Sequence, residues 1–148
     1  MLSNTTGELV TEGSSSGAKR SAHRTILLVE DEEAVRNVLV RYLTGKGFRV
    51  LAAADARLAA PIWEDHQRDI DLLITDLTLP HGVSGSELAA RLQAEKPGLY
   101  VILNSGYSAA CSPVPDLTTL RTQFIAKPYR PQQLLDMIQR VFAAHPQG

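Results

Sequence analysis

The strongest constraint on the fold of this 148-residue chain is an alternation. Short apolar runs recur at 25–29 (TILLV), 49–53 (RVLAA), 71–75 (DLLIT), 99–103 (LYVIL) and 124–126 (FIA), with helical periodicity between them. Runs of strand length alternating with helical segments are the signature of consecutive βα units around a parallel sheet. One α/β domain of five strands is therefore predicted, and no internal repeat is visible.

The intervening segments can be read for which side faces the core. Val35, Val38, Leu39, Tyr42 and Leu43 share one helical face, and Leu58, Ala59, Ile62 and Trp63 share another, with Trp63 read as packing. Asp55 is placed to cap the second helix. A third helix opens at Ser84 or Ser86, with Glu87 in its first turn where the helix dipole favours negative charge, and carries Leu88 and Leu92 inward before Pro97-Gly98 closes it. The last helix follows Pro131 and sets Leu134, Ile138, Val141 and Phe142 on one stripe. The fourth helical slot holds "ACSPVPDLTTLRTQ", where Pro113 and Pro115 cannot sit inside a regular helix, so a short or displaced helix is expected.

Residues 1 to about 23 are rich in Ser, Gly and Thr and lack apolar periodicity. They are expected to be a flexible tail or linker, leaving 24–144 as the folded domain and 145–148 as a short C-terminal tail. A composition of 44% hydrophobic and 21% charged residues suits a globular core. The net charge of -1 offers no basic footprint for direct nucleic-acid binding and no polybasic surface for anionic lipid. No apolar stretch approaches a membrane span, so no membrane insertion is expected. Cys111 stands alone, which rules out an intramolecular disulfide and makes a reducing cytoplasm the expected setting. His23, His66, His81 and His145 lack metal-ligand spacing.

In open parallel α/β sheets, ligands bind outside the carboxyl ends of the strands. Here those ends carry Glu30-Asp31 after the first strand, Asp76 after the third, Asn104-Ser105-Gly106 after the fourth and Lys127-Pro128 after the fifth. The first strand in fact stops at four acidic residues in a row, Glu30 to Glu33. Crowded carboxylates repel one another unless a cation intervenes. Oxygen-only ligation without His or Cys selects a hard divalent ion, Mg²⁺ in preference to Ca²⁺. Glu32 and Glu33 need not join the ion, since acidic residues are favoured in a helix's first turn. A carboxylate at such a metal can also be a nucleophile toward phosphorus, provided the incoming oxygens are neutralised, and Lys127 with a hydroxyl donor from Ser105 completes the parts required.

These segments, "LLVEDEE", "LLITDLTLP", "VILNSGY" and "FIAKPY", resemble the four signature segments of response-regulator receiver domains of two-component signalling, over roughly residues 24–144. The resemblance implies a flavodoxin-like (CheY-like) doubly wound (βα)5 fold. It implies that Asp76 is the phosphoacceptor, Asp31 the main metal-binding carboxylate and Glu30 its partner, with Thr78 offering a backbone carbonyl to Mg²⁺ (or Mn²⁺). Ser105 would be the switch hydroxyl, Lys127 the phosphate-pairing lysine before a commonly cis Lys-Pro bond, and Phe124 the rotating aromatic. Glu30 replaces the commoner Asp, Ser105 the commoner Thr, and Phe124 lacks the phenolic hydroxyl of a Tyr. The implied partners are a sensor histidine kinase or histidine phosphotransfer protein, and a downstream effector protein. "SGY" followed by an irregular segment and "KPYRPQQLL" looks most like receivers of hybrid histidine kinases, whose linker the Ser/Gly-rich start would suit. A stand-alone receiver is the other reading of that start.

Three further readings compete. A phosphohydrolase of the haloacid-dehalogenase type needs a second Asp two residues after the nucleophile, and position 78 is Thr. A receiver-like protein-interaction module that is never phosphorylated would be marked by loss of Asp76, Asp31 or Lys127, and all three are present. A Rossmann-type cofactor binder needs a Gly-rich turn after the first strand, where this chain puts negative charge.

Overall fold

A computed structural model of the protein describes residues 24–105 and 121–144. Within them, strands and helices alternate: β1 (Thr25–Val29), α1 (Glu33–Gly45), β2 (Arg49–Ala53), α2 (Ala56–His66), β3 (Ile70–Asp76), α3 (Gly85–Glu95), β4 (Tyr100–Ser105), β5 (Thr122–Ala126) and α4 (Pro131–Ala144). The sheet order is β2-β1-β3-β4-β5 and every neighbouring pair is parallel. This is the flavodoxin-like, doubly wound arrangement, with the order reversing between β1 and β3.

Burial explains the strand sequences. β1 lies inside the sheet with a helical layer on each face, and all five of its residues are buried, which is why its apolar run does not alternate. On one face Ile26, Leu28, Leu72, Ile74, Tyr100 and Ile102 pack with Leu39 and Leu43 of α1 and Leu134 and Ile138 of α4. On the other, Leu27, Val29, Leu73, Val101 and Leu103 pack with Ala59 and Trp63 of α2 and Leu88 and Leu92 of α3.

Local signals place the helix starts. Asp55 accepts a hydrogen bond from the Leu58 amide at 2.9 Å and caps α2. Ser84, not Ser86, caps α3: the Glu87 amide donates to Ser84 Oγ while the Ser84 amide donates to Glu87 Oε1, a reciprocal capping box. Phe124 is half-buried and packs against the α2/α3 layer.

Several expectations need correction. β3 runs through Asp76, β4 through Ser105, and β5 begins at Thr122, so Asp76 and Ser105 are the last residues of their strands. Val38 and Leu58 were expected to face inward, yet each is 54% exposed. Both sit at the margin of stripes whose centres, Leu39 with Leu43 and Ala59 with Trp63, fill the available contact with the sheet. Expectations about residues 1–23, the fourth helical slot with Cys111, Pro113 and Pro115, and residues 145–148 lie outside the described residues.

Candidate functional site

Strand register assembles the site. In parallel strands the side chains at paired positions share a face, and alternate residues along each strand return to it. Asp76 of β3 pairs with Asn104 of β4, and Val29 of β1 pairs with Thr75, so Glu30 follows one step on beside Asp76. Glu30, Asp76, Asn104 and Lys127 thus extend the rows of Leu28, Ile74, Ile102 and Ile125, which form the α1/α4 side of the core. One face of the sheet ends in four polar groups.

Their geometry is tight. Lys127 Nζ lies 2.8 Å from Asp76 Oδ1 and 3.3 Å from Glu30 Oε1. Asn104 Nδ2 donates to Asp76 Oδ1 at 3.2 Å. Glu30 Oε2 accepts from the Glu32 amide at 3.1 Å, and the Glu30 carbonyl accepts from Arg36 Nη1 at 2.8 Å, which ties the loop to the start of α1. Glu30 is fully buried and Asp76 nearly so, while Asp31 is exposed. Oxygens of Glu30, Asp31 and Asp76 all come within 4.8 Å of one another. This three-carboxylate set, with one member open to solvent, fits a hard divalent cation such as Mg²⁺ that keeps several waters.

The electrostatics follow from burial. Desolvation and the Asp76 charge raise the Glu30 carboxyl above its ordinary value, against the opposing pull of the Glu32 amide and Lys127. Burial acts to lower Lys127, but its bonds to Asp76 and Glu30 outweigh that and raise it. The site holds excess negative charge that one lysine only partly offsets.

Two backbone features fix Asp76. Gly85, the first residue of α3, has its amide on the Leu77 carbonyl at 2.8 Å, and a Cβ there would overlap the carbonyl oxygen of Asp76. The Leu77 amide in turn donates to the Asn104 carbonyl at 2.9 Å. After Leu77 and the exposed Thr78, the chain turns through two consecutive left-handed residues, His81 (φ 68°) and Gly82 (φ 88°). His81 Nε2 reaches Asp55 Oδ2 at 3.7 Å.

Of the residues expected at the site, Glu30, Asp31, Asp76 and Lys127 come together. Thr78 follows Asp76 in the adjoining loop, and Ser105 ends β4 at the same edge, in register with Ala126. The Lys127–Pro128 bond is cis. The sequence places Asn104 at the end of the fourth strand without giving it a role, and does not single out Gly85. An Asn in phase with Tyr100 and Ile102 was the available signal for the first. Gly85 had no comparable signal, because its role depends on a long-range approach. Tyr129 is pushed up to about 12 by burial and by the Glu30 charge. Beside the cluster a groove of about 440 Å³ opens between α1 and residues 127–131, walled by Val35, Val38, Leu39 and Tyr129. No helix among the described residues is long and apolar enough to cross a membrane.

The chain is similar to known proteins over most of its length. The response regulator receiver domain profile matches residues 26–139. The sensor kinase CckA of Brucella abortus is 31% identical over 121 residues, which are 82% of this chain and 13% of that kinase. The solved receiver domain of the hybrid histidine kinase CckA is 31% identical at a TM-score of 0.66, covering 79% of this chain and 97% of that domain. The response regulator TrrA of Thermotoga maritima, solved in complex with Mg²⁺-BeF, is 25% identical at a TM-score of 0.67, covering 80% of this chain and 98% of that one.

Proposed function

This chain belongs to the response regulator receiver domain family of two-component systems, and from that premise we propose that it accepts a phosphoryl group from a phosphohistidine onto Asp76 and relays the change to a partner. The observation that carries the reading is the buried Asp76 carboxylate, tied to Lys127 and clustered with Glu30 and Asp31.

An Asp76 carboxylate oxygen attacks phosphorus, the N–P bond of the phosphohistidine breaks, and its electron pair returns to the imidazole nitrogen. Glu30, Asp31, Asp76 and the Thr78 carbonyl would hold Mg²⁺ (or Mn²⁺), which when bound neutralises phosphoryl oxygens. Lys127 passes from pairing with the resting carboxylates to pairing with a phosphoryl oxygen, and the Ser105 hydroxyl donates to another. Those contacts favour one arrangement of the loops after β4 and β5, a population shift that a partner reads. Phe124 serves mainly in packing. The groove beside α1 gives a donor protein, a sensor histidine kinase or a histidine phosphotransfer protein, a surface next to the cluster. The chain's own chemistry is limited to its phosphotransfer and autodephosphorylation, in a cytoplasmic setting that suits its single cysteine.

The test is intact-mass analysis after incubation with Mg²⁺ and acetyl phosphate, or with a phosphohistidine donor. A single phosphoryl adduct that needs Mg²⁺ and is lost in Asp76→Asn is expected. An adduct that survives Asp76→Asn, or none from either donor, overturns the reading.

A further inference from the structure

Asn104 is 1% exposed in a strand whose other residues on that face, Tyr100 and Ile102, are core. A buried carboxamide is costly unless both of its ends find partners. Its Nδ2 donates to Asp76 Oδ1, but its Oδ1 has no hydrogen-bond partner among the described residues. The carboxamide orientation is dictated by its neighbours: the reversed rotamer would aim an oxygen at the Asp76 carboxylate.

We propose that the Asn104 carboxamide, through its hydrogen bond to Asp76, shortens the lifetime of the Asp76 phosphoryl group. The proposal rests on Asp76 being the phosphoacceptor. Lys127 and Asn104 both bond Asp76 Oδ1, so Oδ2 is the oxygen free of these two donors and the one that attacks phosphorus. In the phosphorylated state Oδ1 is then the acyl carbonyl oxygen. In hydrolysis a water oxygen bonds to phosphorus, the P–Oδ2 bond breaks with its electron pair left on Asp76, and the water's proton passes to solvent. The carboxylate's charge returns over both oxygens. Lys127 is by then engaged with the phosphoryl group, whereas Asn104, anchored in β4, still donates to Oδ1 and stabilises the departing carboxylate. A hydrogen bond to an ionised acceptor is stronger than one to a neutral carbonyl, so the donor favours breakdown over persistence.

The experiment compares the decay of the phosphoryl adduct, by intact mass after removal of acetyl phosphate with Mg²⁺ retained, in wild type, Asn104→Leu and Asn104→Ala. Both Asn104 variants are expected to lengthen the half-life about tenfold, the scale of one charge-assisted hydrogen bond weakened to a neutral one. A merely structural role would lower labelling or shorten the half-life, and would not prolong it. Labelled variants that decay at or above the wild-type rate overturn the proposal alone. Absence of an adduct on wild type overturns it together with the Asp76 assignment. The Ala variant carries the test if the Leu variant does not fold.

Discussion

Lys127 Nζ sits between two buried carboxylates, 2.8 Å from Asp76 Oδ1 and 3.3 Å from Glu30 Oε1, and so joins the end of β5 to the ends of β3 and β1. Removing one member of a buried charge cluster leaves the others uncompensated. Lys127→Met is expected to lower stability by about 2 kcal/mol, less than for a fully dry pair because the lysine is partly solvated. Urea unfolding checks this. Added Mg²⁺ is expected to stabilise the variant more than wild type, because the cation replaces part of the missing positive charge; equal stabilisation would separate the lysine from the metal cluster.

Gly85 lets the first turn of α3 rest on the Asp76 backbone. In Gly85→Ala the new methyl meets main chain that cannot swing aside, and a loss of about 3 kcal/mol is expected. Gly98→Ala has nothing within 4 Å and is the control. Urea midpoints that fall equally in the two variants would contradict the close approach.

The Ser84–Glu87 capping box satisfies amides at the start of α3. Ser84→Ala is expected to cost about 1 kcal/mol. Glu87→Ala, which removes the return hydrogen bond, is expected to cost less, because that side chain lies in solvent. A thermal melt of the two single variants measures both.

Tyr129 has an ordinary phenol value of 10.0 when exposed and about 12 in the fold. A raised value means the folded state holds its proton longer, so this group's contribution is complete below about 10 and is lost as pH climbs toward about 12. Stability of wild type relative to Tyr129→Phe should therefore fall over that window. Ultraviolet difference titration of the same pair should show one tyrosine ionising near its top. A wild-type minus variant signal centred near 10 would place the hydroxyl in solvent.

Much of this was legible in the sequence. The strands stand out because a sheet covered on both faces demands continuous apolar runs, and β1 and β3 supply them. Asp31, Asp76 and Lys127 stand out because charged residues directly after such runs must lie at the sheet's carboxyl edge. Helix caps at Asp55 and Ser84 follow from local hydrogen bonding, which needs only a few neighbouring residues.

The remainder depended on which strands became neighbours. The sequence by itself determined the elements, their direction and the residue types at their ends, because these follow from local propensity and from burial with period two or 3.6. Only the tertiary structure decided that β3 lies between β1 and β4, which sets Asn104 against Asp76, gives both donors the same carboxylate oxygen, brings the Gly85 backbone onto Asp76 and leaves Val38 and Leu58 facing solvent. Hydrogen bonds and close approaches between residues far apart in the chain are fixed by register and packing, and no local pattern of residues encodes those distances.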